Sequence, residues 1–352
     1  MPVKKGFKNV LVAMSGGVDS SVAALLLKKK GYNVAGVFMK LWPEGSCSEN
    51  KCCSSEGETG ARLVAKQLNI PFYVLNFEKD FKNKIVDYFL KEQKAGLTPN
   101  PCVICNKEIK FNLLFKKFPI KKNDFIATGH YARLKKGKLY MAKDKAKDQS
   151  YFLWMLNQKI LKKSLFPNGD YTKKEIRAIA KKHSLSVWDS AESQDVCFKV
   201  KLNKKPGPIV LRQGANYRVI GQHKGLWFYT IGQRKGIGLA AGPYYVLRKD
   251  IKKNALIVTK KEKDLFSKEL KFKEPNWIFE KPSFPLKIKA KIRYRHKPIS
   301  AVLYLPRGKA GKDRVVFSKP QRAPTPGQSV VFYLPASRQA GLQEVLGGGI
   351  II

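Results

Sequence analysis

The stretch VLVAMSGGVDSSVAALLLKKKG, residues 10–31, decides the fold. Residues 8–14 are mostly apolar and read as a buried strand, whereas residues 20–30 read as a helix. The Ser-Gly-Gly turn at 15–17 joins them. Glycines in such a turn let backbone N–H groups point into a concave surface, and the helix that follows adds the positive end of its dipole. The stretch therefore predicts a strand–loop–helix unit that binds phosphate.

Two common nucleotide-binding loops do not fit this stretch. A Walker loop reads GxxxxGK[ST] and uses its lysine to reach the outer phosphates, but SGGVDS at 15–20 has neither that lysine nor that spacing. The dinucleotide fingerprint GxGxxG is also absent, which argues against a nicotinamide enzyme. The structural alternative is a small-residue turn that only caps the helix, with Asp19 and Ser20 bonding backbone N–H groups.

The loop resembles the pyrophosphate loop SGGxDS of the ATP pyrophosphatases, which transfer AMP to a substrate oxygen and release pyrophosphate. The resemblance implies that Ser15 and Ser20 hydrogen-bond the phosphates of ATP and that Asp19 helps to hold Mg²⁺. Gly16 and Gly17 would allow close approach of the phosphates. Because adenylation turns a poor leaving oxygen into AMP, the rest of the chain has to supply a nucleophile.

The chain of 352 residues carries 69 Lys and Arg against 26 Asp and Glu, a formal charge of +43. Such an excess attracts polyanions, so nucleic acid is the expected partner. A bias toward lysine on solvated surfaces is the alternative explanation. No run of about 18 apolar residues is present, and the N-terminal segment enters a strand at once. We therefore expect no membrane span, no cleavable signal and a cytoplasmic location.

Strand and helix patterns alternate early in the chain and give way, after about residue 200, to short β-rich runs broken by Gly and Pro. Alternation predicts an α/β domain with a parallel sheet, helices on both faces and ligands at the carboxyl ends of the strands. We expect a catalytic domain over 1–202, a small β-rich domain over 203–280 and a C-terminal β-barrel over 281–352.

Six cysteines are present, and close spacing in a chain of this size points to chemistry or metal before disulfides. Cys102 and Cys105 lie just before a helix, where a thiol is more acidic and more often a thiolate. Cys197 lies far away in a polar loop, so it meets Cys105 only if the fold joins the segments. The alternative is that they are small buried apolar residues. No role is assigned to Cys47, Cys52 and Cys53.

A series of motifs, in order along the chain, resembles the motifs of the bacterial tRNA-specific 2-thiouridylase family. They are SGGVDSSVAA, TPNPCVICNKEIKF, ATGHYAR, KDQSYFLW, SQDVCF, GQHKGLWFYTIGQRKGIG, RYRHKPI and TPGQSVVFY with VLGGGII. Because they span all the expected domains, they are far more specific than the pyrophosphate loop alone. The resemblance implies a HUP-like catalytic domain with a PP-loop, followed by β domains that contact tRNA.

The family's activity uses ATP to adenylate O2 of the wobble uridine in the tRNAs for Lys, Glu and Gln, and then replaces that oxygen with sulfur. By resemblance, Cys197 would carry the sulfur as a persulfide, loaded by a cysteine desulfurase directly or through a sulfur-relay protein. Cys105 would attack the persulfide to release sulfide, or close a disulfide bond with Cys197 after transfer. A disulfide joins Cα atoms about 4.4 to 6.8 Å apart, so the two segments have to meet. A loop movement on tRNA binding is one route to that meeting.

Cys102 departs from part of the family, where many members read NPD and use the Asp as acid or base beside the target base. A thiol is a weak hydrogen-bonding group and a poor general base at neutral pH. The acid or base role of that Asp is therefore not carried over to Cys102. Cys102, Cys105 and Cys197 also open a second interpretation, in which three thiolates hold a [4Fe-4S] cluster with one open iron, or a zinc ion. We rank persulfide transfer first because a CxxC pair also fits redox chemistry.

The resemblance also assigns binding residues. Those for the nucleotide are Ala13, Met14, Ser15, Gly16, Gly17, Val18, Asp19, Ser20, Met39 beside the adenine, and Gly129. Those for tRNA are Asn100, Pro101, Cys102, His130, Lys147, Asp148, Gln149, Arg293, Tyr294, Arg295 and Gln328. Arginine pairs with phosphate through its planar fork, and a splayed base is held by stacking and edge hydrogen bonds. For RYRHK, basic alternation that guards a sheet edge is the alternative.

Two rival functions share only part of this pattern. Another ATP pyrophosphatase, such as an argininosuccinate or GMP synthetase, would share SGGVDS but needs neither the cysteines nor basic β domains. A non-catalytic RNA-binding protein would have no use for an intact Ser15, Asp19 and Cys197.

Overall fold

The computed structural model describes residues 8–43, 54–118, 121, 124–191, 197–200, 202–305, 313–335 and 342–352. Cys47, Cys52 and Cys53 lie outside these ranges. Across the described ranges, no helix combines the length and the apolar character that a membrane span requires.

The first domain begins with an alternation of strands and helices. Its elements up to the fourth strand are β1 (Asn9–Ala13), α1 (Val18–Lys29), β2 (Asn33–Lys40), α2 (Ser55–Gln67), β3 (Phe72–Asn76), α3 (Glu78–Phe81), α4 (Asp87–Lys94), α5 (Pro101–Cys105), α6 (Leu114–Lys117) and β4 (Phe125–Thr128). Two π-helical stretches, Lys82–Val86 and Asn106–Leu113, join α3 to α4 and α5 to α6. Such widened turns are frequent at functional sites.

The remainder of this domain is a hairpin, two helices and a short strand. These elements are β5 (Ala132–Lys135), β6 (Lys138–Met141), α7 (Gln158–Leu161), β7 (Ser164–Leu165) and α8 (Lys173–Lys182). The sheet has the order β3-β2-β1-β4-β7, and all its strands are parallel. The chain moves outward from β1 to β3 and then returns to β4 on the other side of β1. A crevice therefore opens between the carboxyl ends of β1 and β4.

Strand β1 is apolar on both faces because both faces are covered. Leu11 and Ala13 belong to one hydrophobic cluster, and Val10 and Val12 belong to another. Alternating side chains of a strand point to opposite faces, so these clusters lie on opposite sides of the sheet. The predicted α/β architecture is confirmed.

Two β structures follow. The small sheet has the order β10-β11-β8-β9. Its strands are β8 (Gly207–Gln213), β9 (Asn216–His223), β10 (Tyr245–Asp250) and β11 (Ala255–Thr259). The closed barrel is formed by β12 (Phe266–Trp277), β13 (Leu286–Lys291), β14 (Ile299–Tyr304), β15 (Arg314–Arg322), β16 (Ser329–Tyr333) and β17 (Val345–Ile351). The barrel therefore starts before residue 281, because β12 pairs with β15 and β17 to close it.

An aromatic segment joins the barrel to the first domain. Tyr151 donates its hydroxyl to the carbonyl of Ser329 at 2.9 Å, and Trp154 donates its indole N–H to the Ser329 hydroxyl at 3.0 Å. Both rings are fully buried. Gly348 of the barrel has no room for a Cβ, because the Trp154 ring lies within 2.7 Å of that position. The barrel is thus packed directly onto the domain that carries the SGGVDS loop.

Candidate active site

The SGGVDS loop leaves β1 at its carboxyl end and is closed by its own hydroxyl groups. The Ser20 hydroxyl accepts from the backbone N–H of Ser15 and donates to the carbonyl of Gly17, both at 3.1 Å. Ser21 donates to the same carbonyl at 3.0 Å. Gly17 is the N-cap of α1. The structure therefore uses the buried Ser20 side chain to shape the loop, whereas the Ser15 side chain is partly exposed.

Glycine is required at the tightest points around this loop. Gly16 has a φ of +75°, and a Cβ there would collide with the backbone of Gly57 in α2. A Cβ on Gly129 would lie 2.7 Å from the backbone nitrogen of Ser20, so the end of β4 touches the first turn of α1. Gly17 has open space on its Cβ side, with the Ser15 hydroxyl nearest at 3.6 Å. The backbone of the loop is therefore open on one side.

Asp19 stands at the centre of a polar network. Its Oδ1 accepts from the Tyr131 hydroxyl at 2.7 Å and from the Lys173 ammonium at 2.6 Å. Asn168 donates to the carbonyl of Asp19 at 2.9 Å and to that of Gly129 at 3.1 Å. Tyr131, Asn168 and Lys173 were not among the expected site residues. The sequence TKKE at 172–175 is a capping-box signal for a helix start, but it carries no information on what lies beside that helix.

Several expected nucleotide residues are core residues. Ala13, Met14, Val18 and Met39 are all at most 8% exposed, and their side chains belong to the hydrophobic clusters of the sheet. The Met14 sulfur packs against Gly36, where a Cβ would come within 2.6 Å of it. Ala13 and Met39 lie at the carboxyl ends of β1 and β2, so their backbone atoms reach the same edge of the sheet as the SGGVDS loop.

The turn that carries Cys102 is held by the barrel. The backbone N–H of Thr98 donates to the carbonyl of Pro326 at 2.9 Å, and Gln328 donates its side-chain amide to the carbonyl of Thr98 at 2.7 Å. Asn100 is the N-cap of α5 and Pro101 follows as the first helical residue. Gln328, expected to contact tRNA, thus uses its amide N–H on the protein itself.

The two segments with the expected catalytic cysteines pack on one continuous helix, residues 78–94, which consists of α3, the π-helical stretch 82–86 and α4. Phe198, next to Cys197, is buried and lies edge-on to Phe81 at 5.7 Å and to Phe89 at 5.4 Å between ring centroids. Helix α5, which ends in the buried Cys105, packs against residues 82–86 of that same helix. Cys197 is partly exposed. The fold therefore brings both cysteine segments to a single support, although nearly a hundred residues separate them.

Cys102, Cys105 and Cys197 belong to no metal site within the part of the chain that the structure describes. Among the described residues, no group of three or more His, Cys, Asp or Glu side chains could hold a metal ion. Cys102 is exposed and Cys105 is buried, so the two thiols of the CxxC pair lie in different environments. The arrangement of these three thiols therefore does not support the [4Fe-4S] or zinc alternative.

Asp148 is not available to RNA. It is 1% exposed, accepts from the Ala142 backbone and the Ser150 hydroxyl at 2.9 Å, and lies 3.9 Å from the Lys291 ammonium. Burial raises the pKa of Asp148 and lowers the pKa of Lys291. Because Lys291 belongs to β13, this buried ion pair ties the first domain to the barrel. The neighbouring Lys147 and Gln149 are partly exposed.

The RYR motif of the barrel divides between structure and surface. Arg293 is half-buried and donates to the carbonyls of Ile231 and Ala323, each at 3.3 Å, and burial lowers its pKa. The Tyr294 ring packs on Phe152, with centroids 4.6 Å apart. Of the three expected tRNA contacts, Arg295 is exposed and the other two are partly buried.

His130 packs inward from the end of β4. Its Nδ1 lies 2.7 Å from the Thr128 hydroxyl, and its ring stacks on Phe111 and meets Phe166 edge-on. Burial, and secondarily the charge of Lys110, hold the pKa of His130 well below its usual value. The imidazole is therefore neutral at pH 7.

Known protein families match the chain along its length. Residues 8–201 match a tRNA methyl transferase HUP domain, residues 197–260 a tRNA methyl transferase PRC-barrel domain, and residues 267–351 an aminomethyltransferase beta-barrel domain. A solved structure described as a predicted subunit of tRNA methyltransferase from Methanocaldococcus jannaschii has a TM-score of 0.34 at 20% identity, covering 50% of this chain and 75% of that chain.

Curated relatives are similar over nearly their whole length. The tRNA-specific 2-thiouridylase MnmA of Moorella thermoacetica is 46% identical, covering 97% of this chain and 98% of the relative. The protein of the same name from Clostridium acetobutylicum is 44% identical, covering 98% and 99%. With the PP-loop, the cysteine segments and the barrel all in place, the chain belongs to the tRNA-specific 2-thiouridylase family.

Proposed function

We propose that this chain is an ATP-dependent tRNA 2-thiouridylase that acts on the wobble uridine of the tRNAs for Lys, Glu and Gln. One observation supports this most directly. A single α/β domain holds an open phosphate loop at a sheet edge and two cysteine segments on one supporting helix. The loop suits adenylation and the pair of cysteine segments suits sulfur transfer. The proposed reaction needs both.

The loop would bind ATP through backbone N–H groups and the first turn of α1. The Ser15 hydroxyl is close enough to the open face of Gly17 to share in that binding. Mg²⁺ takes oxygen ligands and is commonly bound by one or two carboxylates together with substrate phosphates. Asp19 fits that role because its carboxylate is 37% exposed. Bound Mg²⁺ would supply charge neutralisation of the phosphates.

Adenylation would activate the base. O2 of the uridine attacks the α-phosphorus of ATP, the bond to the pyrophosphate leaving group breaks, and the base becomes an O2-adenylate. The terminal sulfur of a Cys197 persulfide then attacks C2, and AMP leaves with the original oxygen. The Cys105 thiolate attacks the inner sulfur of Cys197, which frees the 2-thiouridine and leaves a Cys105–Cys197 disulfide. A dithiol reductant restores both thiols for the next cycle.

Cys102 would contact the target base without acting as a strong base. It is exposed at the start of α5 beside Asn100 and Pro101, which the barrel positions through Thr98. The thiol is a weak hydrogen-bonding group. We therefore expect Cys102→Ser to retain more thiolation than Cys105→Ser does.

The partners follow from charge and chemistry. A formal charge of +43 suits tRNA, and a cysteine desulfurase or a sulfur-relay protein would load Cys197. The proposed setting is the cytoplasm. Because Lys and Arg release counterions from phosphates, tRNA affinity should fall steeply between 50 and 200 mM salt, as is general for such contacts. A flat salt profile would contradict the electrostatic part of the proposal.

The test is thiolation of a tRNA transcript with ATP, a desulfurase and cysteine. The wild-type enzyme should produce 2-thiouridine and tRNA-stimulated pyrophosphate release. Cys197→Ala should abolish thiolation while tRNA affinity and ATP binding stay within about twofold of wild type, because the thiol makes no large contact with either. Lys199→Ala, at an exposed neighbouring position, is the matched control and should keep thiolation activity. Thiolation that survives in Cys197→Ala would refute the persulfide assignment.

The descriptions of the matching families name methyl transfer, whereas the relatives are named for thiolation. The cysteine segments on one helix favour thiolation, since the proposed sulfur transfer needs one thiol to carry sulfur and a second to release it. Assaying the same transcript with a methyl donor in place of ATP and desulfurase distinguishes the two. We expect no methylated product.

A further inference from the structure

We propose that Lys173 binds the pyrophosphate portion of ATP and replaces the lysine that the SGGVDS loop lacks. Its ammonium lies 2.6 Å from Oδ1 of Asp19, in the first turn of the helix that follows the loop. The two residues are 154 positions apart. This inference rests on the proposed use of ATP and adds a residue to that site.

The fold places Lys173 with little freedom. It is the first residue of α8 and lies within the Thr172–Glu175 capping box, whose two reciprocal hydrogen bonds are both present. Its backbone N–H donates to the Asp144 carboxylate at 3.0 Å. Helix α8 packs on α1 through buried residues such as Ile176. The base of the side chain is therefore held in one position relative to the loop.

The side chain is directed along a protected path to the loop. Lys173 is 12% exposed, and its ammonium lies 5.9 Å from the centre of the Tyr131 ring. Tyr131 donates to the same Asp19 oxygen that Lys173 contacts. A lysine in an exposed ion pair loses side-chain entropy and gains little stability in return. A partly buried lysine beside a phosphate loop instead keeps its charge close to where an anion binds.

Phosphate loops generally need a cation near the outer phosphates, because backbone N–H groups alone leave much of the charge uncompensated. Lys40 and Arg62, two other cations of the first domain, both pair with Glu58 at 3.3 and 2.8 Å. Lys173 pairs with Asp19, the expected Mg²⁺ ligand. When ATP binds, the ammonium would move from the carboxylate to the β- and γ-phosphates, and Asp19 would become available to the metal.

Equilibrium binding of ATP, pyrophosphate and AMP, measured without tRNA so that no adenylation occurs, tests this assignment. Lys173→Ala should weaken ATP and pyrophosphate binding by about 10- to 100-fold, the range for a charge-assisted hydrogen bond. AMP binding should change by less than about threefold, because AMP lacks the β- and γ-phosphates. Lys173→Arg should restore most of the loss. Lys174→Ala, an exposed neighbour on the same turn, should match wild type.

Two outcomes would overturn the proposal. Equal loss of ATP and AMP affinity would show that Lys173 only holds Asp19 and the loop in shape. If Lys173→Ala binds ATP as strongly as Lys174→Ala does, Lys173 has no part in the site. Thermal unfolding of each variant, with and without ATP, identifies a variant that has simply lost its fold, and Lys173→Gln, which keeps a polar side chain without the charge, then carries the test with the same expected loss. Wild-type protein that binds ATP and yet forms no 2-thiouridine would refute the proposed function and leave this inference intact.

Discussion

The phosphate loop and the turn that carries Cys102 are both short segments of the first domain, yet they are held in different ways. The loop is closed by hydrogen bonds among residues 15–21 and by contact with Gly57. The turn is bonded through Thr98 to the barrel, and Gln328 lies 230 positions further along the chain. The conformation of the loop is thus set mainly by hydrogen bonds within the loop, whereas the turn is positioned by hydrogen bonds to a different domain.

This difference indicates where tRNA binding can influence chemistry. A loop closed by its own residues is present before any partner binds. A turn held by the barrel moves if the barrel moves, and the barrel carries the exposed Arg295. We therefore expect perturbations of the barrel to affect sulfur transfer and tRNA use, and perturbations of the loop to affect ATP.

The largest effect is expected from loss of the buried ion pair between the barrel and the first domain. Lys291→Met leaves the Asp148 carboxylate buried without its cation, which should lower the free energy of unfolding by about 3–5 kcal/mol. Thiolation should fall, while ATP affinity of the folded protein stays near wild type. Chemical denaturation checks the first result and equilibrium dialysis the second. Unchanged stability would show that Lys291 does not compensate Asp148, and the double variant with Asp148→Asn should recover part of the loss.

The next effect is expected at the loop itself. Gly16→Ala places a methyl group against Gly57 at a φ of +75°, so strain and overlap should lower the free energy of unfolding by about 2–4 kcal/mol. ATP affinity should fall by more than tenfold. Gly214→Ala is the control, because Gly214 also has a positive φ but has no neighbour within 4 Å. It should cost only about 1 kcal/mol. Similar losses in both variants would contradict the role assigned to the Gly57 contact.

A smaller effect is expected where the barrel holds the turn. Gln328→Ala removes one hydrogen bond to Thr98, worth about 1 kcal/mol, so kcat for thiolation should fall by up to about fivefold with ATP affinity unchanged. Gln321→Ala, which loses only a local bond to Lys319, is the matched control. If KM for tRNA rises and kcat does not change, Gln328 contacts tRNA and does not position the turn.

The smallest effect concerns pH. The pKa of His130 is lowered in the folded protein, so the unfolded chain takes up a proton first as pH falls through about 6.5. The contribution of His130 to the free energy of unfolding is therefore fully present above that pH and is lost as the pH falls below it. For this group the loss between pH 7.5 and 6.0 is at most about 0.8 kcal/mol. His130→Asn should reduce the decline in melting temperature over that interval, and His183→Asn is the comparison. An equal decline in both variants would assign the pH dependence to other groups.

The parallel sheet, the phosphate loop and the later β domains were predictable because they depend on local patterns. Apolar periodicity, glycine placement and motif order are readable along the chain, and they predicted the unit from β1 to α1 correctly. The start of the barrel was placed too late, because β12 is recognised as a barrel strand only by its pairing with β15 and β17. The sequence of a strand does not by itself specify which other strands it pairs with.

Residue types and their order along the chain were enough to indicate a phosphate-binding α/β domain with cysteines suited to sulfur chemistry. The burial of Asp148, the clamp of Gln328 on Thr98 and the approach of Lys173 to Asp19 became visible only in three dimensions. Each of these contacts joins residues more than a hundred positions apart. Burial and pairing are properties of the packed chain, and local sequence constrains them weakly because a given side chain can serve either surface or core.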